Sequence, residues 1–188
     1  SVFYKDKNVL IIATKLAVAQ NFIRKVKTYI KSMPNWLLVP VVTANNKQQV
    51  EFSNGSQIKA VPTSEDAGRS EALSLLIVDE AAFVRNFDEL WMGLYPTLST
   101  GGRAILLSTP NGVGGQYHEI YTKSLSKENE FNPIKLMWDV HPERGEDWFN
   151  KETKNMSQKQ VAQELLCDFA SSGDTFLTND ILEKIRIL

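Results

Sequence analysis

Two adjacent carboxylates, Asp79 and Glu80, close the four-residue apolar run Leu75-Leu76-Ile77-Val78. A short β-branched run of this kind reads as a buried strand, and the carboxyl end of a strand is where open α/β sheets bind ligands. Side chains alternate along a strand, so neighbouring carboxylates diverge and take different tasks. One suits Mg²⁺, which keeps several waters and prefers carboxylates together with phosphate oxygens. The other suits orienting or deprotonating an attacking water. The pair has the form of a Walker B element, although the same residues could simply open a turn or cap a helix.

A second apolar run, Ala104-Ile105-Leu106-Leu107, ends in Ser108-Thr109-Pro110-Asn111-Gly112. If the two strands are parallel neighbours, Ser108 and Thr109 end at the same edge as the carboxylates. Their hydroxyls, with the Asn111 amide, are then placed to respond to a terminal phosphate, and Pro110 and Gly112 fix the turn. Arg69 lies ten residues before Asp79 in the polar stretch Ser64–Ser70. A guanidinium on a loop beside a phosphate site stabilises charge in phosphoryl transfer; a solvated arginine is the plain alternative.

One motif is missing. A P-loop requires G-x-x-x-x-G-K-[ST], and the ten glycines include no Gly-Lys pair. His118 and His141 stand 23 residues apart without Cys or acidic partners at ligand spacing, which argues against zinc. Cys167 reads as an inert thiol, Trp138 and Trp148 as packing residues, and Arg144 as a loop arginine.

The elements that must position these groups follow from periodicity. Val9-Leu10-Ile11-Ile12-Ala13 predicts a buried strand. Leu16, Ala19, Phe22, Ile23, Val26, Ile30 and Met33 recur at helical spacing, with Arg24, Lys25, Lys27 and Lys31 mostly on the other face, and Pro34 ends the helix. Trp36–Val42 predicts a strand. Val50–Phe52 and Ile58–Val61 flank Ser53-Asn54-Gly55-Ser56, a hairpin signal in which Asn-Gly supplies positive φ angles. A helix is predicted from about Asp88 towards Leu98, disturbed by Pro96, and another from Gln116 to about Leu125. Ile134–Val140 predicts a further strand, and Ser157-x-x-Gln160 a capping box opening a helix. Short apolar strands alternating with helices define an α/β fold with a largely parallel sheet.

The 188 residues suit one domain, possibly with an appendage. Hydrophobic content of 43% and charged content of 23% exclude wholesale disorder and collagen-like repeats. No apolar run approaches a membrane span, no signal peptide opens the chain, and one cysteine cannot build a disulfide framework. A reducing cytoplasm is the natural setting. The net charge of −1 hides a division: residues 1–50 hold eight Lys/Arg and one acid, whereas residues 51–188 hold 13 Lys/Arg and 21 acids. A cationic stretch beside an acidic body suits a polyanion on one side, or a solvated Lys-rich helix face.

In order, these motifs resemble the ATPase domain of a tailed-phage large terminase subunit, the motor that packages DNA. Val9–Lys15 and its following helix resemble the family's strand and helix downstream of the P-loop. Phe52-Ser53-Asn54-Gly55-Ser56-Gln57-Ile58 resembles its hairpin, and Gly68-Arg69-Ser70 its arginine element. Leu75-Leu76-Ile77-Val78-Asp79-Glu80-Ala81-Ala82-Phe83 resembles its Walker B, and Leu107–Gly112 its coupling motif. Gln163-Glu164-Leu165-Leu166-Cys167-Asp168-Phe169 resembles the end of its ATPase domain. The resemblance implies a RecA-like ASCE core in which Asp79 binds Mg²⁺, Glu80 activates water, Ser108 and Thr109 couple hydrolysis to DNA movement, and Arg69 is an arginine finger acting in cis or from a neighbouring subunit.

The same resemblance implies ATP as cofactor and double-stranded DNA, portal protein and the small terminase subunit as partners. It implies a homo-oligomeric ring on the portal, no membrane, and the cytoplasm of an infected or lysogenic bacterial host. Residues 1–176 would be a partial ATPase domain, truncated at the N-terminus, with Walker A expected before Ser1. Residues 177–188 would start a linker towards a nuclease domain. The chain as given is expected to bind ATP poorly and to be inactive alone. A superfamily-two helicase or restriction-type translocase fragment shares the acidic pair and the hydroxyl-bearing motif. A non-catalytic prophage remnant, acting as a structural or interaction domain, is the remaining alternative.

Overall fold

The computed structural model describes residues 1–38, 40–63 and 72–173. The chain divides into two compact units, Ser1–Ser108 and Thr109–Leu188.

The first unit is built on β1 (Asn8–Ala13), α1 (Leu16–Ser32), β2 (Val42–Asn45), β3 (Gln49–Phe52), β4 (Gln57–Pro62), β5 (Leu75–Val78), α2 (Phe87–Leu94) and β6 (Arg103–Leu106). The strands form one six-stranded sheet in the order β2-β3-β4-β1-β5-β6. β4, β1, β5 and β6 run parallel, and the β2-β3-β4 end is antiparallel. The largely parallel α/β sheet expected from the sequence is therefore the one found.

β1 is inside the sheet because both its faces are apolar. Ile11 and Ala13 join Ala19 and Ile23 of α1 with Val50, Phe52 and Ala60 in one cluster, against which Ile77 of β5 also packs. Leu10 and Ile12, on the opposite face by alternation, are buried as well. α1 stops at Met33 because a residue before proline is driven to extended backbone; Met33 has ψ 134°.

The β3–β4 hairpin forms as predicted, with the left-handed conformation carried by Gly55 (φ 79°) and not by Asn54. Asn54 instead uses its side chain to hold the first residues. Its Nδ2 donates to the carbonyls of Ser1 (2.9 Å) and Tyr4 (3.1 Å). Buried Ser56 donates to Tyr4 O (2.7 Å) and accepts from the Lys7 N–H (3.1 Å). These bonds pin residues 1–7 to the hairpin.

At the other side of the sheet, β6 pairs only with β5 among the described residues. Gly102 admits β6 there, because a Cβ at that position would run into the Leu73 carbonyl oxygen. Ile105, opposite Ile77 in register, is 44% exposed, and Leu107 is 45% exposed.

One predicted strand is displaced. The described residues 36–38, 40 and 41 form no strand: the Pro34 carbonyl turns back to accept from Leu37 (2.9 Å) and Leu38 (3.2 Å). Trp36 is left exposed and pairing begins at Val42.

The second unit contains α3 (Gly115–Leu125), α4 (Glu146–Glu152), α5 (Gln158–Glu164) and the short α6 (Phe169–Ser172). Phe169 packs its ring on Tyr117, His118 and Tyr121 of α3 at 4.9–6.1 Å between centroids. The Ser157–Gln160 capping box opens α5 as its sequence predicts. Trp138 and Trp148 stack at 6.3 Å and the Arg144 guanidinium lies 4.6 Å from the Trp148 ring centre, so these residues pack on one another. The strand predicted over Ile134–Val140 does not form. No described strand lies beside that segment, Ile134 and Leu136 stay exposed, and Trp138–Val140 is a 3₁₀ turn held by Trp138 N–H donating to Leu165 O (3.1 Å). Cys167 donates to Leu136 O (3.4 Å), and burial pushes its thiol pKa up, as befits an unreactive thiol. No helix among the described residues is long and apolar enough to cross a membrane.

Candidate active site at the carboxyl edge of the sheet

Register sets the edge. Ala13 stands opposite Pro62, Ile12 opposite Val78, and Val78 opposite Leu106. The four parallel strands therefore end together, and Thr63, Thr14-Lys15, Asp79-Glu80 and Leu107-Ser108 follow their ends. The chain reverses its lateral direction around β1, with β4 on one side and β5 on the other. In open α/β sheets that reversal opens a crevice for ligands.

Asp79 extends the ladder of β5: its N–H donates to Ile12 O at 2.9 Å, and its side chain is half-buried. Glu80, also half-buried, leaves the strand in the left-handed conformation, φ 53° and ψ 42°. A non-glycine residue there is uncommon and is held by its surroundings. Here the surroundings are hydrogen bonds to β6. The Ala81 N–H donates to Leu107 O (2.9 Å), and the Ala82 N–H donates to Ser108 Oγ (3.1 Å). The Leu107 N–H in turn donates to Val78 O (2.9 Å), and the Phe83 N–H closes a 3₁₀ turn on Glu80 O (2.8 Å). The loop after the carboxylates is thus stitched to the end of β6, and Ser108 supplies one stitch with its side chain.

Among the described residues, the structure brings Asp79, Glu80 and Ser108 together within the first unit. Thr109 and Asn111 open the second unit, Thr109 half-buried and Asn111 exposed. The turn after them is fixed by Gly112 (φ 78°), whose N–H donates to buried Ser172 Oγ at 3.0 Å. Arg69 and the linker 177–188 lie outside the described residues.

No group of three or more His, Cys, Asp or Glu side chains among the described residues is arranged to hold a metal.

Sequence reasoning missed one feature. A cleft of about 540 Å³ opens at the same edge, lined by Thr14, Lys15, Thr63, Phe83, Arg85, Asn86, Glu89 and Leu90. The available signal was positional: Thr14-Lys15 and Thr63 are the first polar residues past two adjacent strands.

A largely parallel sheet flanked by helices, with an acidic pair at the end of an inner strand, defines a RecA-like α/β protein. Residues 2–184 match the family described as terminase large subunit, T4likevirus-type, N-terminal, and the chain belongs to that family. This decides between a terminase and the helicase or restriction-translocase alternative. Solved structures agree in fold. The ATPase domain of the Thermus phage P74-26 large terminase is 20% identical with a TM-score of 0.67, over 88% of this chain and 78% of that one. The large terminase of the thermophilic bacteriophage D6E in complex with ADP is 12% identical with a TM-score of 0.69, over 89% of this chain and 42% of that one. The HK97 bacteriophage large terminase is 11% identical with a TM-score of 0.57, over 98% of this chain and 37% of that one. The chain therefore spans most of the isolated ATPase domain and about four-tenths of the longer terminases.

Proposed function

We propose that this chain is the ATP-hydrolysing part of a phage DNA-packaging motor, with its chemistry at Asp79 and Glu80. The observation that carries this is the acidic pair at the carboxyl edge, tied through Ala81 and Ala82 to the hydroxyl-bearing end of β6, in a member of the large-terminase family.

Asp79 and the phosphates of ATP would hold Mg²⁺, whose role is to neutralise charge on the β- and γ-oxygens. The Glu80 carboxylate accepts a proton from the attacking water. As the water oxygen bonds to the γ-phosphorus, the bond to the β–γ bridging oxygen breaks, and ADP leaves with its electron pair. Arg69 supplies positive charge to that transition state, in cis or from a neighbouring subunit. Ser108, Thr109 and Asn111 sense the loss of phosphate. Because Ser108 already holds the Glu80 loop, a shift of that loop is passed to the end of β6. The partners are double-stranded DNA, portal protein and the small terminase subunit, with a homo-oligomeric ring acting in the cytoplasm of the bacterial host.

The phosphate-binding loop belongs beside β6. Among the described residues β6 pairs with β5 alone, and the exposed Ile105 and Leu107 suit one further parallel strand carrying a G-x-x-x-x-G-K-[ST] turn.

In a longer protein that includes such a segment, Glu80→Gln should retain nucleotide binding and lose turnover by about 10²- to 10⁴-fold. Steady-state phosphate release measures this, and near-normal hydrolysis would remove Glu80 from the role of base. A total lack of hydrolysis in the unaltered longer protein would favour the non-catalytic remnant.

A further inference from the structure

We propose that the outer face of α1, continued at the cleft by Lys15 and Arg85, is the surface on which this chain holds the phosphate backbone of duplex DNA. The inference rests on the packaging reading for its partner, but its residues lie outside the hydrolytic site.

Residues 15–32 carry Lys15, Arg24, Lys25, Lys27 and Lys31 and not one Asp or Glu. A helix charged only for solubility mixes signs and pairs them at i,i+4. α3 does this, with Lys123 Nζ 2.6 Å from Glu119. On α1, no cation is paired with a carboxylate among the described residues. Lys27 donates to Asn46 O (2.5 Å), while Arg24, Lys25 and Lys31 are exposed on the side away from the core residues Ala19 and Ile23. Such a strip repels itself unless an anion lies along it.

The spacing fits a nucleic acid strand. Arg24 and Lys31 are two helical turns apart, about 10.5 Å at 1.5 Å per residue. Long cationic side chains at that separation can reach two nearby phosphates of one strand.

α1 begins beside the cleft, which Lys15, immediately before the helix, lines. There Lys15, Arg85, Asn86, Thr14 and Thr63 offer cationic, amide and hydroxyl donors against the single carboxylate of Glu89. Those donor types make the phosphate contacts that position proteins on a duplex. Asp79 and Glu80 do not line this cleft, so a backbone held here leaves the acidic pair to the nucleotide.

The test is duplex affinity against salt, by fluorescence anisotropy with a labelled 30-base-pair duplex and this chain. Arg24→Gln/Lys25→Gln/Lys31→Gln should weaken binding at least tenfold at 50 mM salt and lower the log–log salt slope by about 0.9 per lost phosphate contact. Lys15→Gln/Arg85→Gln should act in the same direction. Lys135→Gln/Lys151→Gln/Lys154→Gln, which removes equal charge from the second unit, should change affinity less than twofold. Equal losses in the α1 and second-unit triples would reduce the effect to net charge and overturn the proposal. Unchanged affinity and slope in the α1 triple, or no duplex binding by the parent chain at 50 mM salt, would also overturn it. None of these results bears on Glu80, whose hydrolysis test stands separately. Unchanged duplex affinity in Lys15→Gln/Arg85→Gln would overturn the assignment of the cleft to the DNA backbone.

Discussion

At the scale of single residues, the site turns on how Glu80 is held. Asp79 and Glu80 were legible because an apolar run that ends abruptly in two acids has few structural explanations. The left-handed backbone of Glu80 was not legible, because it depends on hydrogen bonds from Ala81 and Ala82 to residues 26 positions away. Nor was the bond made by Ser108: the sequence suggested a hydroxyl facing a phosphate, and the structure gives that hydroxyl a backbone N–H to accept from. Ser108→Ala removes the hydroxyl oxygen that accepts from the Ala82 N–H and should cost about 1 kcal/mol in a urea melt of this chain. Ser108→Thr, which keeps the oxygen, should recover most of that loss. Equal stability of the alanine variant and the parent would show that the stitch contributes nothing to the fold.

At the scale of elements, patterns with local causes were readable. The hairpin at Asn54-Gly55, the helix ended by Pro34 and the Ser157–Gln160 capping box each depend on residues within a few positions of one another. The two strand expectations that failed, Trp36–Val42 and Ile134–Val140, are apolar segments whose fate depends on a partner strand, which no local pattern reports. Both leave large apolar side chains in solvent. The entry of β6 is equally invisible in sequence. Gly102 looks like half of a Gly-Gly break, yet it is the position where β6 passes against the Leu73 carbonyl. Gly102→Ala should destabilise the chain by about 1–3 kcal/mol, because backbone must move to admit the methyl group. Gly145→Ala, which has open space around it, should sit within about 0.5 kcal/mol of the parent. Denaturant midpoints compare the two, and an unaffected Gly102→Ala would mean that β6 has room to slide.

At the scale of the whole molecule, the sequence disclosed the α/β class and the edge at which the strands end. It did not disclose the cleft, which forms from three segments far apart in the chain. An acidic pair without a phosphate cradle has little hold on a nucleotide, so isothermal titration of ATP into this chain should give at most weak binding. Micromolar affinity would show that the cleft or the second unit supplies a cradle of its own.

Among the described residues β6 pairs with β5 alone, and a further parallel strand beside it would have a restricted route. Crossovers between parallel strands are right-handed. A strand beyond β6 that leads to β1 travels in the same lateral direction as β1 to β4, so its connection lies on the face that carries α1. It spans three strand spacings, about 14 Å, and passes over the exposed Ile105 and Leu107. It must then descend to the opposite end of the sheet, because Asn54 and Ser56 clasp residues 1–7 at the hairpin. The clasp therefore works as a mooring. Tension on a segment that reaches β1 by this path is met first by the hairpin, before it reaches the strand that bears the acidic pair's neighbours.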